Sequence, residues 1–154
     1  MEEALASAVD KEFEVEAQRI TPRQWAVYWP DVEKQLDTIP QYWMPYWTKD
    51  FINASVMLER WQAWGFGDIG SVNLIALTHI IEYPGARVLQ MMLAFGNELD
   101  AVAPLMEATF ERFASETRCD YCEIVGRPGW EKKFNRFKRV GVVLRCEVQR
   151  IGVQ

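Results

Sequence analysis

The sequence predicts a single α+β domain spanning residues 1–154, with a β-sheet that is covered by helices on both faces. Its 154 residues are a usual length for one domain. Strand-like and helix-like segments follow one another without an internal repeat or a long linker. The two central strand segments, 73–83 and 87–96, are apolar on both faces. Strands of this kind need cover on both sides of the sheet.

A strand and a helix are predicted at the start of the chain. Phe13–Ala17 alternates apolar and polar residues and leads into Ile20, a pattern typical of a half-buried strand, although a helix would also fit. Thr21 followed by Pro22 predicts a helix N-cap with proline in the first turn. Pro30 is expected to interrupt this first helix.

The next segment predicts a second helix and then a turn. Tyr42–Trp47 holds four aromatic residues but is too rich in proline for a regular element. Thr48 is expected to cap a helix, because apolar residues recur after it at helical spacing. Residues 61–70 are interpreted as a turn leading into the sheet, with three glycines as breakers: Gly65, Gly67 and Gly70.

A hairpin and a long helix are predicted in the middle of the chain. Asn73–Tyr83 and Arg87–Gly96 are apolar strand segments joined by the turn signal Pro84-Gly85. After them comes the clearest helix, which runs from Leu99 to near Arg118. Its apolar residues recur every three or four positions, and its acidic residues are expected outside: Glu98, Asp100, Glu107 and Glu111.

One more strand, a basic helix and a last strand are predicted in the C-terminal part. Tyr121–Val125 is a short strand, and residues 126–129 form a loop. Trp130–Arg139 is expected to be an amphipathic helix closed by Gly141, with its aromatic residues inward and its basic residues solvated. Val142–Val148 is expected to form the last strand.

Charge and cysteine usage exclude several classes of function. The net charge of -5 disfavours non-specific nucleic-acid binding and contact with anionic membranes. No apolar run is long enough to span a bilayer, and the N-terminus has no signal-like segment, so we expect a cytoplasmic protein. Cys119 and Cys122 have a zinc-like or redox-like spacing, but four ligands cannot be collected with Cys146 and one histidine. We therefore expect reduced, structural cysteines and no metal site.

Several motifs, in this order, resemble the GNAT family of acyl-CoA N-acyltransferases, and in particular its small phage-encoded members. They are Trp29-Pro30-Asp31-Val32, Tyr83-Pro84 followed by Arg87-Val88 and an apolar strand ending at Gly96, Cys119-Asp120, and Gly126-Arg127-Pro128. The resemblance covers nearly the whole chain. It implies a GNAT-like fold with a central, mostly antiparallel sheet and helices on both faces.

The resemblance also implies where a cofactor would bind. In this family the fourth strand splays from the fifth, and acyl-CoA lies in the gap between them. The acetyl-CoA site would then comprise Leu93, Phe95, Gly96, Asn97, Glu98 and Leu99. This loop departs from the family pattern, because it keeps one glycine and because Glu98 and Asp100 are acidic where the diphosphate would sit. The basic residues of 132–139 could meet a phosphate, but a solvated helix face is the simpler interpretation.

Two residues are candidates for acid–base catalysis. Glu82 could deprotonate an amine through a water molecule, as strand carboxylates do in the family, and His79 lies on the same strand. The structural alternatives are a solvent-facing Glu82 and a His79 in the core or at an edge. The family often has a tyrosine as general acid four residues before the glycine that closes the last helix. That position is Phe137 here, and a phenyl ring carries no acidic proton.

Two functions therefore remain open at this point. The first is acyl transfer from acetyl-CoA to an amine acceptor of unknown identity. The second is a catalytically inactive phage protein of GNAT fold that binds a host protein or a virion component through Tyr42–Trp47. The family resemblance favours the first, and the departures at the cofactor loop and at Phe137 favour the second.

Overall fold

The computed structural model describes residues 15–38, 46–68, 72–127 and 129–150. Its strands are β1 (Val15–Ile20), β2 (Gln62–Asp68), β3 (Leu74–Tyr83), β4 (Ala86–Gly96) and β5 (Tyr121–Ile124). Its α-helices are α1 (Pro22–Leu36), α2 (Lys49–Met57) and α3 (Leu99–Glu116), and a 3-10 helix spans Trp130–Lys132. Phe13 and Glu14, at the start of the predicted first strand, and residues 42–45 of the aromatic segment lie outside the described residues.

The strands form one mixed sheet in the order β1-β2-β3-β4-β5. The first three pairs of neighbours are antiparallel, and β5 alone runs parallel to its neighbour β4. Helix α3 makes the long crossover that a parallel pair requires. The predicted α+β class, the mostly antiparallel sheet and the helices on both faces are confirmed.

Strand β2 was interpreted from the sequence as a turn, and that interpretation is wrong. The strand pairs with β1 on one side and with β3 on the other, so its backbone hydrogen bonds outweigh its poor strand propensity. A Cβ at Gly65 would lie 3.1 Å from a methyl carbon of Val72, so a bare backbone suits this close contact. Gly65 marks close packing here rather than a break in structure.

Helix α1 begins where the sequence predicts it. The Thr21 side chain accepts a hydrogen bond from the Gln24 amide, and the Gln24 side chain accepts one from the Thr21 amide. The expected interruption at Pro30 is wrong, since the helix continues to Leu36. Pro30 is on the exposed side, and the buried residues Trp25, Val32 and Leu36 hold the helix against the sheet on both sides of it.

Two apolar cores lie on opposite faces of the sheet. The first core joins α1 and α2 to one face; its largest buried side chains include Trp25, Leu36, Ile52 and Leu77. The second core joins α3 and the 130–137 segment to the other face; its buried side chains include Phe66, Leu89, Met106, Phe110 and Phe134. The double cover predicted from the apolar hairpin is therefore present. Glu107, predicted on the outside of α3, is buried and accepts a hydrogen bond from the Arg136 amide at 3.3 Å.

A β-bulge interrupts the ladder between β3 and β4. Thr78 pairs with Met91 and Leu77 pairs with Leu93, so Met92 has no partner on β3. Both Met92 and Leu93 pack in the first core, whereas neighbouring residues of a regular strand face opposite sides. After the bulge, each residue of β4 lies on the opposite face of the sheet from the one it would occupy in a regular strand.

The predictions for the C-terminal part are partly wrong. The expected helix Trp130–Arg139 is only the 3-10 helix Trp130–Lys132, and residues 142–148 form no strand. The aromatic residues do turn inward, as predicted, because Phe134 is buried and Phe137 packs beside it. The basic residues pair with carboxylates along the surface instead of forming one solvated face, as in Lys133–Asp100, Arg136–Glu111 and Arg139–Glu131.

Residues 140–150 are exposed along their whole length. The apolar side chains among them are Val140, Val142, Val143, Leu144 and Val148. In the part of the chain that is described, no helix combines the length and the apolar character needed to cross a membrane.

Candidate functional site

Strands β4 and β5 separate partway along β4, and we call this gap the fork. Their parallel pairing runs from Val88 opposite Tyr121 to Met91 opposite Ile124. The Val125 amide then donates to the Met91 carbonyl at 3.0 Å. Beyond this bond, none of the described residues pairs with β4 on its β5 side. The fork therefore opens at the residue where the bulge begins.

A small cavity lies in the fork. Its volume is about 30 Å³, room for one or two water molecules. It is lined by residues of β4 and of the segment after β5: Met92, Leu93, Ala94, Val125, Gly126, Arg127 and Trp130. The Trp130 ring lies directly on Gly126, where a Cβ would be 2.7 Å from the ring atom Cδ2. Trp130 thus narrows the fork, and Gly126 provides the space for its ring.

The predicted cofactor residues on β4 lie along the open side of the fork. Leu93 and Phe95 are buried in the first core, so their backbone, rather than their side chains, is available at the gap. Gly96 has φ +124°, and a Cβ there would lie 2.8 Å from the Leu74 Cα. The Asn97 amide donates to the Asn73 carbonyl at 2.8 Å. The close contact with β3 is by itself enough to require a glycine at position 96.

The remaining predicted cofactor residues begin helix α3. Glu98 has φ +66° at the N-cap, and its carboxylate accepts a hydrogen bond from Asn73 at 3.2 Å. Leu99 packs against the second core. Asp100, in the first helical turn, forms an ion pair with Lys133. The negative charge predicted at this helix end is therefore partly balanced by a lysine.

The two halves of an acyl-CoA molecule fit these residues unequally. The fork offers an apolar lining and a strand edge of β4, which suit the extended arm that carries the thioester. The end of α3 offers backbone N–H groups to a diphosphate, but Glu98 and Asp100 bring carboxylates to the same turn. With the Trp130 ring on Gly126 the cavity is too small for this arm, and the carboxylates oppose the diphosphate.

The structure does not bring the two predicted catalytic residues together. Glu82 is 70% exposed and forms an ion pair with Arg87 beside the hairpin turn. His79 precedes it by three positions, so the two side chains lie on opposite faces of β3. Glu82 is at the end of the hairpin away from the fork, and His79 is near the fork.

A row of polar side chains crosses three strands beside the fork, and we call it the polar row. It consists of His79 on β3, Gln90 on β4 and Glu123 on β5, which are partners in the sheet register. His79 Nε2 lies 2.9 Å from Gln90 Oε1, and Gln90 Nε2 donates to Glu123 Oε1 at 3.4 Å. Because Gln90 donates to Glu123 through its nitrogen, its oxygen accepts the hydrogen that His79 Nε2 carries.

Aromatic rings pack against the His79 end of the polar row. The ring centroid of Trp61 is 5.7 Å from that of His79, and the centroid of Trp47 is 6.3 Å away. Both contacts are steeply tilted, and Trp47 also stacks on Phe51. Of the aromatic segment 42–47, the described residue Trp47 thus helps to build this site, while Tyr46 is exposed and stacks with Arg145 at 4.7 Å.

The sequence argument that Phe137 occupies the position of the general acid does not apply to this structure. The family position is counted from the glycine that closes a helix, and residues 133–141 form no α-helix here. Phe137 packs with Phe134 in the second core.

The cysteines are free, and two of them are half-buried. Burial, together with the nearby Glu111, raises the pKa of the Cys122 thiol to about 12. Cys119 packs beside it in the second core. Cys146 is exposed in the C-terminal segment and does not lie on a strand as predicted. Among the described residues, no three histidine, cysteine or acidic side chains come together to hold a metal ion.

Comparison with known proteins identifies the fold. No family model and no curated protein matches the sequence. A ribosomal-protein-alanine N-acetyltransferase from Brucella melitensis biovar Abortus 2308 superposes with a TM-score of 0.59 at 13% identity, covering 90% of this chain and 99% of the other. A predicted acetyltransferase with acetyl-CoA from Clostridium acetobutylicum gives 0.58 at 12% identity, covering 86% and 96%. An aminoglycoside acetyltransferase from an uncultured soil metagenomic sample, in complex with sisomicin, gives 0.62 at 7% identity, covering 88% and 97%. The chain therefore has the fold of GNAT acetyltransferases.

Proposed function

We propose that this protein transfers an acyl group from acetyl-CoA to an amine, and that the fork between β4 and β5 is where the two substrates meet. The observation that carries the proposal is the coincidence of the fork with the bulge at Met92. A bulge beside a strand gap is a common way to aim backbone groups at a ligand. The shared fold with solved acetyltransferases supports the same function.

The donor arm would lie along the open edge of β4. Beyond Met91 this edge has no neighbouring strand among the described residues, so its N–H and C=O groups are available to an extended ligand. Leu93 and Phe95 would present their backbone to it, and Met92 and Val125 would exclude water. When bound, acetyl-CoA supplies an acyl group activated as a thioester.

The bulge residue has a separate role in this scheme. Met92 has no register partner on β3, and in this scheme its N–H donates to the oxygen of the acyl group. A fixed donor aimed at developing negative charge lowers the barrier of acyl transfer more than a mobile water does. We assign this positioning role to the Met92 backbone.

The diphosphate of the donor would meet the start of α3, at Gly96, Asn97, Glu98 and Leu99. Its N-terminal N–H groups favour an anion, whereas the Glu98 carboxylate opposes one. Asp100 opposes it less, because Lys133 is paired with it. We therefore expect a dissociation constant of about 100 μM or weaker for acetyl-CoA.

Calorimetric titration with acetyl-CoA tests the donor site. Glu98→Gln keeps the acceptor for Asn73 and removes the charge, so it should tighten binding about threefold to tenfold. Asp50→Asn is the matched control, since Asp50 is an exposed acid in the first turn of α2. The control should bind like the unaltered protein. Failure of both the unaltered protein and Glu98→Gln to bind at millimolar acetyl-CoA would overturn the donor site.

Activity is then measured as release of free thiol from acetyl-CoA in the presence of primary amines. Thiol release that depends on both substrates is the expected result. With acetyl-CoA as the donor, we place this reaction in the cytoplasm. Binding of acetyl-CoA without thiol release, across a broad set of primary amines, would leave a donor-binding protein rather than a transferase.

A second function is favoured by the exposed apolar surface. Tyr46 and the apolar residues of 140–148 are exposed, which is typical of surfaces that contact a partner. In this alternative the protein is phage-encoded, has no acyl-transfer activity, and binds a host protein or a virion component through Tyr42–Trp47. Absence of acetyl-CoA binding in the titration above would favour it over acyl transfer.

A further inference from the structure

Glu123 differs from four acidic residues at the same end of the molecule that pair with a cation. Glu82, Asp100, Glu111 and Glu131 each form an ion pair with an arginine or a lysine. Glu123 is half-buried, and in the described part of the chain it forms no ion pair. Its one hydrogen bond there comes from Gln90 and goes to Oε1. A half-buried carboxylate with one oxygen open can accept a charge-assisted hydrogen bond from a cationic donor.

The rest of the polar row fixes the position of this carboxylate. Gln90 donates to Glu123 and accepts from His79, so its amide is held at both ends. Trp47 and Trp61, which also contact each other, both pack against the His79 ring. The second oxygen of Glu123 is left for a donor from outside the row. The polar row is therefore rigid at one end and open at the other.

Glu123 lies beside the fork on a side of the sheet that is open to solvent. It is one residue before Ile124, the last paired residue of β5, and so it borders the fork. It lies on the first-core face, where Tyr121 two residues earlier is 64% exposed. Helices α1 and α2 cover this face over the other strands and do not reach β5. A ligand can thus reach Glu123 from solvent while the donor arm occupies the fork.

We propose that Glu123, held in position by Gln90 and His79, binds a primary ammonium group, and that Trp47 contacts an apolar or aromatic body attached to it. An ammonium donates charge-assisted hydrogen bonds to a carboxylate and supplies the missing cation. The Trp47 ring is half-buried at the His79 end of the row, so an apolar body that extends from Glu123 along the row can pack against it. The acceptor class is therefore an arylalkylamine or a similar amine with a compact apolar body. Its role as an acceptor rests on the proposed acyl transfer.

Two probes of equal shape test the site. Phenethylamine carries an ammonium group, and 2-phenylethanol replaces it with a hydroxyl group. Binding of each is followed by ligand-observed NMR at concentrations up to 10 mM. The amine should bind at least about tenfold more tightly than the alcohol, which is the usual gain from a charged hydrogen bond. Absence of amine binding at 10 mM, or equal binding of both probes, overturns the site.

Matched variants test whether amine binding depends on Glu123. Glu123→Gln keeps the size of the side chain and should weaken amine binding at least about tenfold, while alcohol binding changes less than about twofold. Glu116→Gln, an exposed acid at the end of α3, should change neither. Gln90→Leu releases Glu123 and should weaken amine binding by a smaller factor. Unchanged amine binding in Glu123→Gln overturns the proposal, and circular dichroism shows whether each variant is folded.

The donor and acceptor sites can fail independently. Glu98→Gln should change acetyl-CoA binding and leave amine binding unchanged, and Glu123→Gln should do the reverse. If acetyl-CoA fails to bind while amine binding depends on Glu123, acyl transfer is wrong and the ammonium site stands. If acetyl-CoA binds and the amine does not, the ammonium site is wrong and the donor site stands.

Discussion

Strand β4 has two neighbouring strands, and they differ in the length over which they pair with it. On one side β3 pairs with β4 along nearly its whole length and is joined to it by the tight turn Pro84-Gly85. On the other side β5 pairs over four residues only and is reached through the long helix α3. One edge of β4 thus builds the sheet, and the other opens the fork.

This difference separates the edge of β4 that stabilises the fold from the edge that we propose binds a ligand. The hairpin is local in sequence and buries apolar residues on both faces, so it carries much of the folding energy. The β4–β5 edge leaves backbone groups available for a ligand. The transition between the two is the bulge at Met92. Substitutions on the two sides of β4 should therefore have effects of different size and kind.

The largest effect is expected in the hairpin. Leu89→Ala removes a side chain that is fully buried in the second core, and it should lower the free energy of unfolding by about 2–5 kcal/mol. Tyr121→Ala on β5 removes an exposed ring and should cost less than about 1 kcal/mol. Urea unfolding measures both. Similar losses for the two variants would contradict the contrast between the edges.

A glycine pair tests the ends of β4. Gly96→Ala places a Cβ against the backbone of Leu74 at positive φ, and should destabilise the fold by about 1–3 kcal/mol. Gly85→Ala in the hairpin turn is the matched control, because a Cβ there meets no atom within 4 Å. The control should stay within about 0.5 kcal/mol of the unaltered protein. A neutral Gly96→Ala would show that the loop can move away from β3.

The fork should respond to the contact between Gly126 and Trp130. Gly126→Ala must displace the Trp130 ring, and we expect a loss of about 1–2 kcal/mol in unfolding free energy. In a Trp130→Ala background the same substitution should cost much less, so the two changes should be strongly non-additive. Equal costs in both backgrounds would mean that the clash is relieved elsewhere. Calorimetry on Trp130→Ala also shows whether an open fork binds acetyl-CoA more tightly.

At neutral pH the smallest effect on stability concerns the thiols. Cys146 should react quickly with a thiol reagent in the native protein, and Cys122 slowly, because burial raises its pKa to about 12. Above pH 9 the unfolded chain loses the Cys122 proton before the folded chain does. The stability of the unaltered protein should therefore fall, as pH rises from 9 towards 12, more steeply than that of Cys122→Ala. Fast labelling of Cys122 at neutral pH, or parallel pH profiles, would contradict this.

Local patterns predicted the parts of the fold that depend on near neighbours in sequence. The hairpin and helix α3 were predicted because their apolar residues recur at strand or helix spacing. Strand β2 was missed because Gly65 looks like a breaker, and only contact with Val72, β1 and β3 explains it. The last helix was overpredicted because its basic residues pair with distant carboxylates instead of lining one helical face.

The residues of the candidate site also differ in whether local sequence patterns predict them. His79 was predicted as a candidate because it lies on the hairpin strand, and Gly96 because it is the one glycine kept in the cofactor loop that the family resemblance implies. Gln90 and Glu123 were missed, since the polar row exists only through the register of three strands. Nothing in the sequence near Glu123 indicates that a histidine on another strand belongs to the same row.

The unpaired residue at Met92 has a consequence for comparing this chain with others. It shifts the alternation of inward and outward residues along β4 by one position, so the strand has two phases. An ungapped alignment with a strand that lacks the extra residue would match buried side chains with residues of the opposite face. An insertion or deletion at this one position would therefore conceal the sequence similarity of two related chains over half of the strand. Relatives of this protein are better sought with a gap allowed at Met92.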